Sequence, residues 1–378
     1  MSAEPRVQFQ YNNMMYGVAG YLIETLTGSS LRDFFRVHLW EPMGLENTFL
    51  GLDDPAIQNS GLLVADEYYY DESTDAYLRL EHANVSGDAA AGAAISNVLD
   101  YAKYLRVMLD EEKPMSKAGH RELKTARSFV SGGVAPFVGP ITYAFGWMSG
   151  VVQGEQIWLH SGQVDGFTTW MLIVPSRQIG ITVMTNAASK ALTLVLYRIL
   201  YDLLEVREKD RFDFAAKFLN DVEQEKHYLA TCPERVYPNL PSPPLPHTLP
   251  LPNHTGRYRD EGYGDFDVLL DCGSTEAATT TARGGSCKLR VQKLEYGPFP
   301  WPFILNLDHK SGNYWLGWPE FRGTDIPPAC LEVRFRVNAS GEVSHFGFNA
   351  RMEDGAPLVW FDRIDERLDP ESSRAVSS

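Results

Sequence analysis

Two short motifs in this chain hold side chains that can move a proton. Tyr11-Asn12-Asn13 opens an apolar helical stretch. His160-Ser161-Gly162 closes a short apolar run and precedes Gln163-Val164-Asp165-Gly166-Phe167. Phenol and imidazole both serve general acid–base chemistry. Taken singly, each motif has an ordinary structural reading: Tyr-x-Asn as an aromatic contact with a helix cap, His-Ser-Gly as a turn. The GxSxG elbow, HExxH, GxGxxG and the P-loop are all absent from the sequence, so no motif supports an α/β-hydrolase, a zincin, a dinucleotide enzyme or a P-loop NTPase. Trp147 and Trp170 read as core or pocket wall, and His120, in a Lys/Arg stretch, as a solvated surface residue. Asp66, Glu67, Asp71, Glu72 and Asp75 interleave with Tyr68, Tyr69 and Tyr70 without calcium-loop spacing, and read as an exposed loop.

Helices and strands must carry these residues. Asn13 to Leu26 is apolar nearly all round with Gly28 as a stop, which predicts a buried helix. Ser30 is placed to cap a second helix, with Asp33 three residues on and Pro42 at its end. A third spans about Asn97 to Leu109. Phe167 to Val174 and Ile179 to Thr185 are β-branched and aromatic runs joined by Pro175-Ser176-Arg177-Gln178, an antiparallel hairpin pattern. A Leu-rich amphipathic helix from Leu192 to Leu204 would pack on that sheet, and a further helical stretch runs from Arg211 to Lys226. The fold class is therefore α+β, an antiparallel sheet with helices. Pro233 to Pro252 holds eight prolines and reads as a stiff linker. Beyond it, Phe266–Leu270, Leu289–Val291, Leu331–Val337 and Val343–Phe348 are short strand-like runs between turns, the pattern of a small antiparallel sandwich or barrel.

The order of blocks adds more. Tyr-x-Asn is followed by YGVAGYLIETLTGSSL, LWEPMGLENTF, GDAAAGAAISNVLDYAKYLRVML, YAFGW, and HSG with GFTTWMLIVPSRQIGITVMTN. Over roughly residues 6 to 205 this resembles the serine β-lactamase-like family, which takes in class C β-lactamases, DD-peptidases and related esterases and transesterases. HTGRYRDEGYGDFDVLL resembles the start of the lipocalin-like domain appended to many members. The resemblance implies a serine that attacks an ester or amide carbonyl and forms an acyl-enzyme. It implies that Tyr11 shares the proton traffic with a lysine, that Asn13 orients that lysine and contacts substrate, and that His160 takes the first place of a Lys-Thr-Gly strand motif. Ser161 lies in that motif, Gly162 lets substrate approach the strand, and the backbone N–H of Gln163 helps form an oxyanion hole. A cationic lysine suits a substrate carboxylate, and histidine is only partly charged near neutrality, which weakens the case for β-lactam or peptidoglycan substrates. No serine in the chain has a lysine three positions later, so the nucleophile motif Ser-x-x-Lys is missing.

The implied organisation is a partial β-lactamase-like domain over 1–205, a helix and Pro-rich linker over 206–252, a lipocalin-like β domain over 253–368, and a tail over 369–378. The net charge of −15 argues against nucleic acid or an anionic membrane as partner. Cys232, Cys272, Cys287 and Cys330 form no CxxC pair and leave one disulfide open as a possibility. The Asn84, Asn253 and Asn338 sequons say little by themselves. No apolar run spans a membrane, and MSAEPRVQFQYNN has no signal-peptide pattern. The expectation is a cytoplasmic protein with no cofactor and no metal, acting on a small ester or amide. The oligomeric state is not readable. As given, it should be inactive for want of a nucleophile. A pseudoenzyme or binding protein, and a biosynthetic transesterase, are the alternatives.

Overall fold

The structure, a computed structural model, describes residues 4, 7–71, 74–132, 134–272, 287–293, 303–320, 329–352 and 355–364. The chain divides into two compact units, one built on Met1–Phe218, the other on Leu219–Phe321 with Ile326–Ser378.

In the first unit, helix α1 is Asn13–Thr27. The Asn12 side chain accepts from the Met15 N–H at 3.1 Å, satisfying one of the free donors of the first turn. The helix stops at Gly28, whose φ of 67° suits glycine. Gly20 is its one buried residue, and a Cβ there would meet the Ala90 Cβ at 2.7 Å. The apolar composition predicted a helix buried all round. Instead Met14, Val18, Tyr21, Leu22 and Leu26 are exposed, because nothing among the described residues covers that side. Ser30 caps Leu31–Phe35 as expected. The chain continues through a π-helical turn, Arg36–Trp40, and through Glu41–Met43 to Gly44. Pro42 falls in the first turn of that last piece, where its missing N–H costs little.

A hairpin of β1 (Glu67–Asp71) and β2 (Ala76–Leu80) forms where a loop was expected. Helix α2 (Val98–Asp110) is capped by Asn97, whose side chain accepts from Leu99 and Asp100 N–H. The main sheet is antiparallel, with β3 (Ser128–Gly132), β4 (Pro140–Tyr143), β5 (Met148–Val152), β6 (Glu155–Val164), β7 (Phe167–Val174) and β8 (Ile179–Thr185) in consecutive order. The β7–β8 hairpin pairs Val174 with Ile179, and Gln178 takes the left-handed turn position at φ 54°. Leu105 and Met108 of α2 pack with Trp147 and Ile173. Helix α3 (Ala191–Leu203) packs Leu196, Leu200 and Tyr201 with Ile157, Leu159 and Leu172. His120 is buried rather than solvated. Its Nε2 lies 2.8 Å from the Glu112 carbonyl, which takes the ring N–H.

Helix α4 (Phe214–Ala230) spans the division between the units. The second unit holds a closed antiparallel barrel of β9 (Gly256–Asp260), β10 (Gly264–Asp271), β11 (Lys288–Lys293), β12 (Phe303–Ser311), β13 (Tyr314–Glu320), β14 (Leu331–Val337), β15 (Val343–Phe348) and β16 (Val359–Arg363). Closure comes from β9 pairing with β16, Tyr258 opposite Arg363. Buried Tyr258, Phe266, Phe303, Phe335, Phe346, Phe348 and Phe361 fill the interior, as side chains do in small barrels. Composition suggested a linker over the Pro-rich stretch. In the structure it lies along the barrel: Leu245 N–H donates to Ser311 Oγ at 3.0 Å, Gly312 N–H to the Leu245 carbonyl at 3.1 Å, and Leu249 and Leu251 pack on the core. Two disulfides, Cys232–Cys330 and Cys272–Cys287, use all four cysteines where at most one was foreseen.

Candidate active site

The His-Ser-Gly motif does not end a strand. It sits inside β6, with His160 opposite Met171, Ser161 opposite Trp170, Gly162 opposite Thr169 and Gln163 opposite Thr168 of β7. On the other edge β5 pairs only as far as Met148 opposite Leu159. From His160 onward that edge of β6 therefore has no strand beside it among the described residues. Gly162 was expected to make room for substrate. The structure supplies another reason for glycine, since a Cβ there would meet Thr169 Oγ1 at 2.7 Å.

The turn after β6 is held from outside the sheet. Gly166 N–H donates to Glu67 Oε2 at 3.1 Å, and a Cβ on Gly166 would meet the Tyr68 backbone N and O at 2.7 Å. Glu67 is 1% exposed. Burial pushes its carboxyl pKa up, opposed by the Gly166 N–H bond. Asp165 is likewise raised by burial.

Three rings converge beside the open edge. The His160 ring centroid is 6.2 Å from that of Tyr11 and 5.8 Å from that of Tyr143, and the two tyrosine rings are 6.3 Å apart. Tyr11 stands just before α1, on the exposed side, and Tyr143 ends β4. His160 Nδ1 is 2.5 Å from the Ser161 carbonyl. A carbonyl only accepts, so Nδ1 carries the proton. His160 Nε2 then accepts from the Tyr143 hydroxyl at 2.9 Å. Burial holds the His160 pKa below its ordinary value, opposed by the bond to Ser161. Tyr143 is pushed well up by burial, then by Tyr16 and Tyr11. Tyr11 is raised by burial, then by Tyr16 and Asp88. Each shift favours the neutral form of its ring.

Of the residues singled out from sequence, Tyr11 and His160 meet directly. Asn13 is the first residue of α1, two positions from Tyr11, while the cap itself is Asn12. Ser161 contributes its carbonyl to His160, and Gly162 and Gln163 continue the same strand. Sequence reading missed Tyr143 and Tyr16. Tyr143 lies in YAFGW, where only the tryptophan was weighed, and Tyr16 in YGVAGY. Among the described residues no three His, Cys, Asp or Glu side chains stand where they could hold a metal ion, and no helix is long and apolar enough to cross a membrane.

A family model described as Beta-lactamase matches residues 1–200. A protein of Aspergillus campestris named Unguisins hydrolase ungD' is 37% identical over 277 residues, which cover 71% of this chain and 51% of that protein. A D-aminopeptidase of Gluconobacter oxydans is 23% identical over 190 residues, 50% of this chain and 33% of its own length. Among solved structures, that of an octameric penicillin-binding protein homologue from Pyrococcus abyssi matches 95% of this chain and 66% of its own, with a TM-score of 0.50 at 19% identity, a likeness of fold. The chain spans about half the length of the Aspergillus hydrolase, and less of the D-aminopeptidase.

Proposed function

Since the chain belongs to the beta-lactamase family, we propose that Tyr11, Asn13 and His160 are the acid–base and substrate-binding half of an acyl-serine hydrolase. The serine and its lysine then lie in sequence outside these 378 residues. What carries the reading is the convergence of Tyr11, Tyr143 and His160 beside the edge of β6 that no strand pairs among the described residues. Two further observations support it. No serine here has a lysine three residues on. The exposed apolar side of α1, next to Tyr11, is of a kind that monomeric proteins usually cover; a helix bearing the serine would cover it.

In this arrangement serine Oγ attacks the carbonyl carbon, and the proton leaves Oγ through the lysine–Tyr11 pair to the departing group. Counting from the two-residue turn Asp165-Gly166, antiparallel alternation aims the Gln163 N–H at the open edge, where it can stabilise the developing oxyanion. The name of one relative, a D-aminopeptidase, favours an amide over an ester. The second unit's two disulfides favour an oxidising compartment over the cytoplasm expected from sequence. The substrate class is tested by assaying the whole protein on matched neutral aminoacyl anilides and esters. Amide turnover through an acyl-enzyme is the expected result; turnover of esters alone would overturn the amide reading.

A further inference from the structure

We infer that Tyr143 is a positioning residue that locks His160 as a neutral imidazole with its proton on Nδ1, so that the open edge of β6 admits substrates without a carboxylate beside the scissile bond. Both ring nitrogens are already committed. Nδ1–H is spent on the Ser161 carbonyl at 2.5 Å, and the Nε2 lone pair on the Tyr143 hydroxyl at 2.9 Å. For His160 to become a cation, Nε2 would need a proton, and Tyr143 would have to turn from donor to acceptor. The groups facing the pair oppose this poorly compensated change. Tyr11 comes from the entry to α1, Tyr16 from α1 itself and Tyr143 from β4. All are phenols, and one carboxylate, Asp88, acts on Tyr11. Burial of His160 works in the same direction. A neutral acceptor-saturated ring offers a substrate carboxylate neither charge nor a free N–H.

The substrate consequence rests on the hydrolase reading above, and the lock itself does not. The lock is read by NMR of the 378-residue chain with 15N-labelled histidine, the His160 signals being identified by their loss in His160→Gln. The wild type should show the Nδ1–H tautomer and a titration midpoint below the ordinary 6.5. Tyr143→Phe removes the donor to Nε2 and should move that midpoint up and mix the tautomers. The same tautomer and midpoint in folded Tyr143→Phe would overturn the inference. Should that variant not fold, wild-type protein labelled with 3-fluorotyrosine decides. Its more acidic phenol donates more strongly and should move the midpoint further down, and no movement would overturn the lock. The substrate half is read on the whole protein below pH 6.5. Relative to a matched neutral amide, Tyr143→Phe should lower KM for an amide with an adjacent carboxylate. An unchanged KM ratio would overturn the specificity role. Neither KM ratio nor tautomer depends on whether amides outrun esters, so the two readings fail separately.

Discussion

On the reading proposed above, Tyr11 is the residue on which proton transfer would turn. Its phenol is raised by burial, by Tyr16 and by Asp88, so without a cation it holds its proton. A lysine close by would supply the missing positive charge and let it exchange that proton with the serine. Tyr11→Phe keeps the ring contacts with His160 and Tyr143 and removes only the hydroxyl. In the whole protein it should slow acyl-enzyme formation by roughly 10²–10⁴-fold, the usual weight of a general acid–base group, with the thermal melt unchanged. A loss under about tenfold, on the same scale, would remove Tyr11 from the proton path. That Tyr11 and His160 come together was legible because each lies in a recognisable motif in the right order. Tyr143 was not. Its bond to His160 depends on how β4, β5 and β6 line up, and a sequence carries that register only implicitly.

Elements place these residues, and α2 illustrates how firmly. Its third residue, Asp100, is buried and accepts from Asn47 N–H at 2.7 Å, Thr48 Oγ1 at 3.0 Å and Lys103 Nζ at 3.0 Å. Burial alone would raise its pKa. The bonds from Asn47, Lys103 and Thr48 outweigh it and leave the pKa below 3.8. The unfolded chain therefore binds the proton more readily than the folded one. The stabilisation is complete above the unfolded value of 3.8 and fades as pH falls through the lower folded value. Asp100→Ala would strand the Asn47 N–H and should cost about 2–4 kcal/mol at pH 7. Denaturant titration checks this, and a loss under ~0.5 kcal/mol, the size of an ordinary surface change, would mean the network is dispensable. The α2 and β7–β8 elements were legible because caps, turn residues and periodicity agree. The α1 reading was half right: its composition specifies a covered helix, and its cover is not among the described residues.

For the whole molecule, the family match and the candidate site both belong to the first unit. The second unit is a barrel whose centre is packed with aromatic rings and whose cysteines are paired. Its alternating strands were legible, while the disulfide partners were not, because four cysteines allow three pairings. On the proposed reading, this chain brings the tyrosine and histidine to a nucleophilic serine that lies outside its 378 residues. Labelling with a fluorophosphonate serine probe, followed by peptide mapping, decides this on two samples: the 378-residue chain and the whole protein. The expected result is no labelling of the chain and labelling of the whole protein at one serine of a Ser-x-x-Lys motif. Stoichiometric labelling of any serine within the 378 residues, in the chain alone, would contradict it.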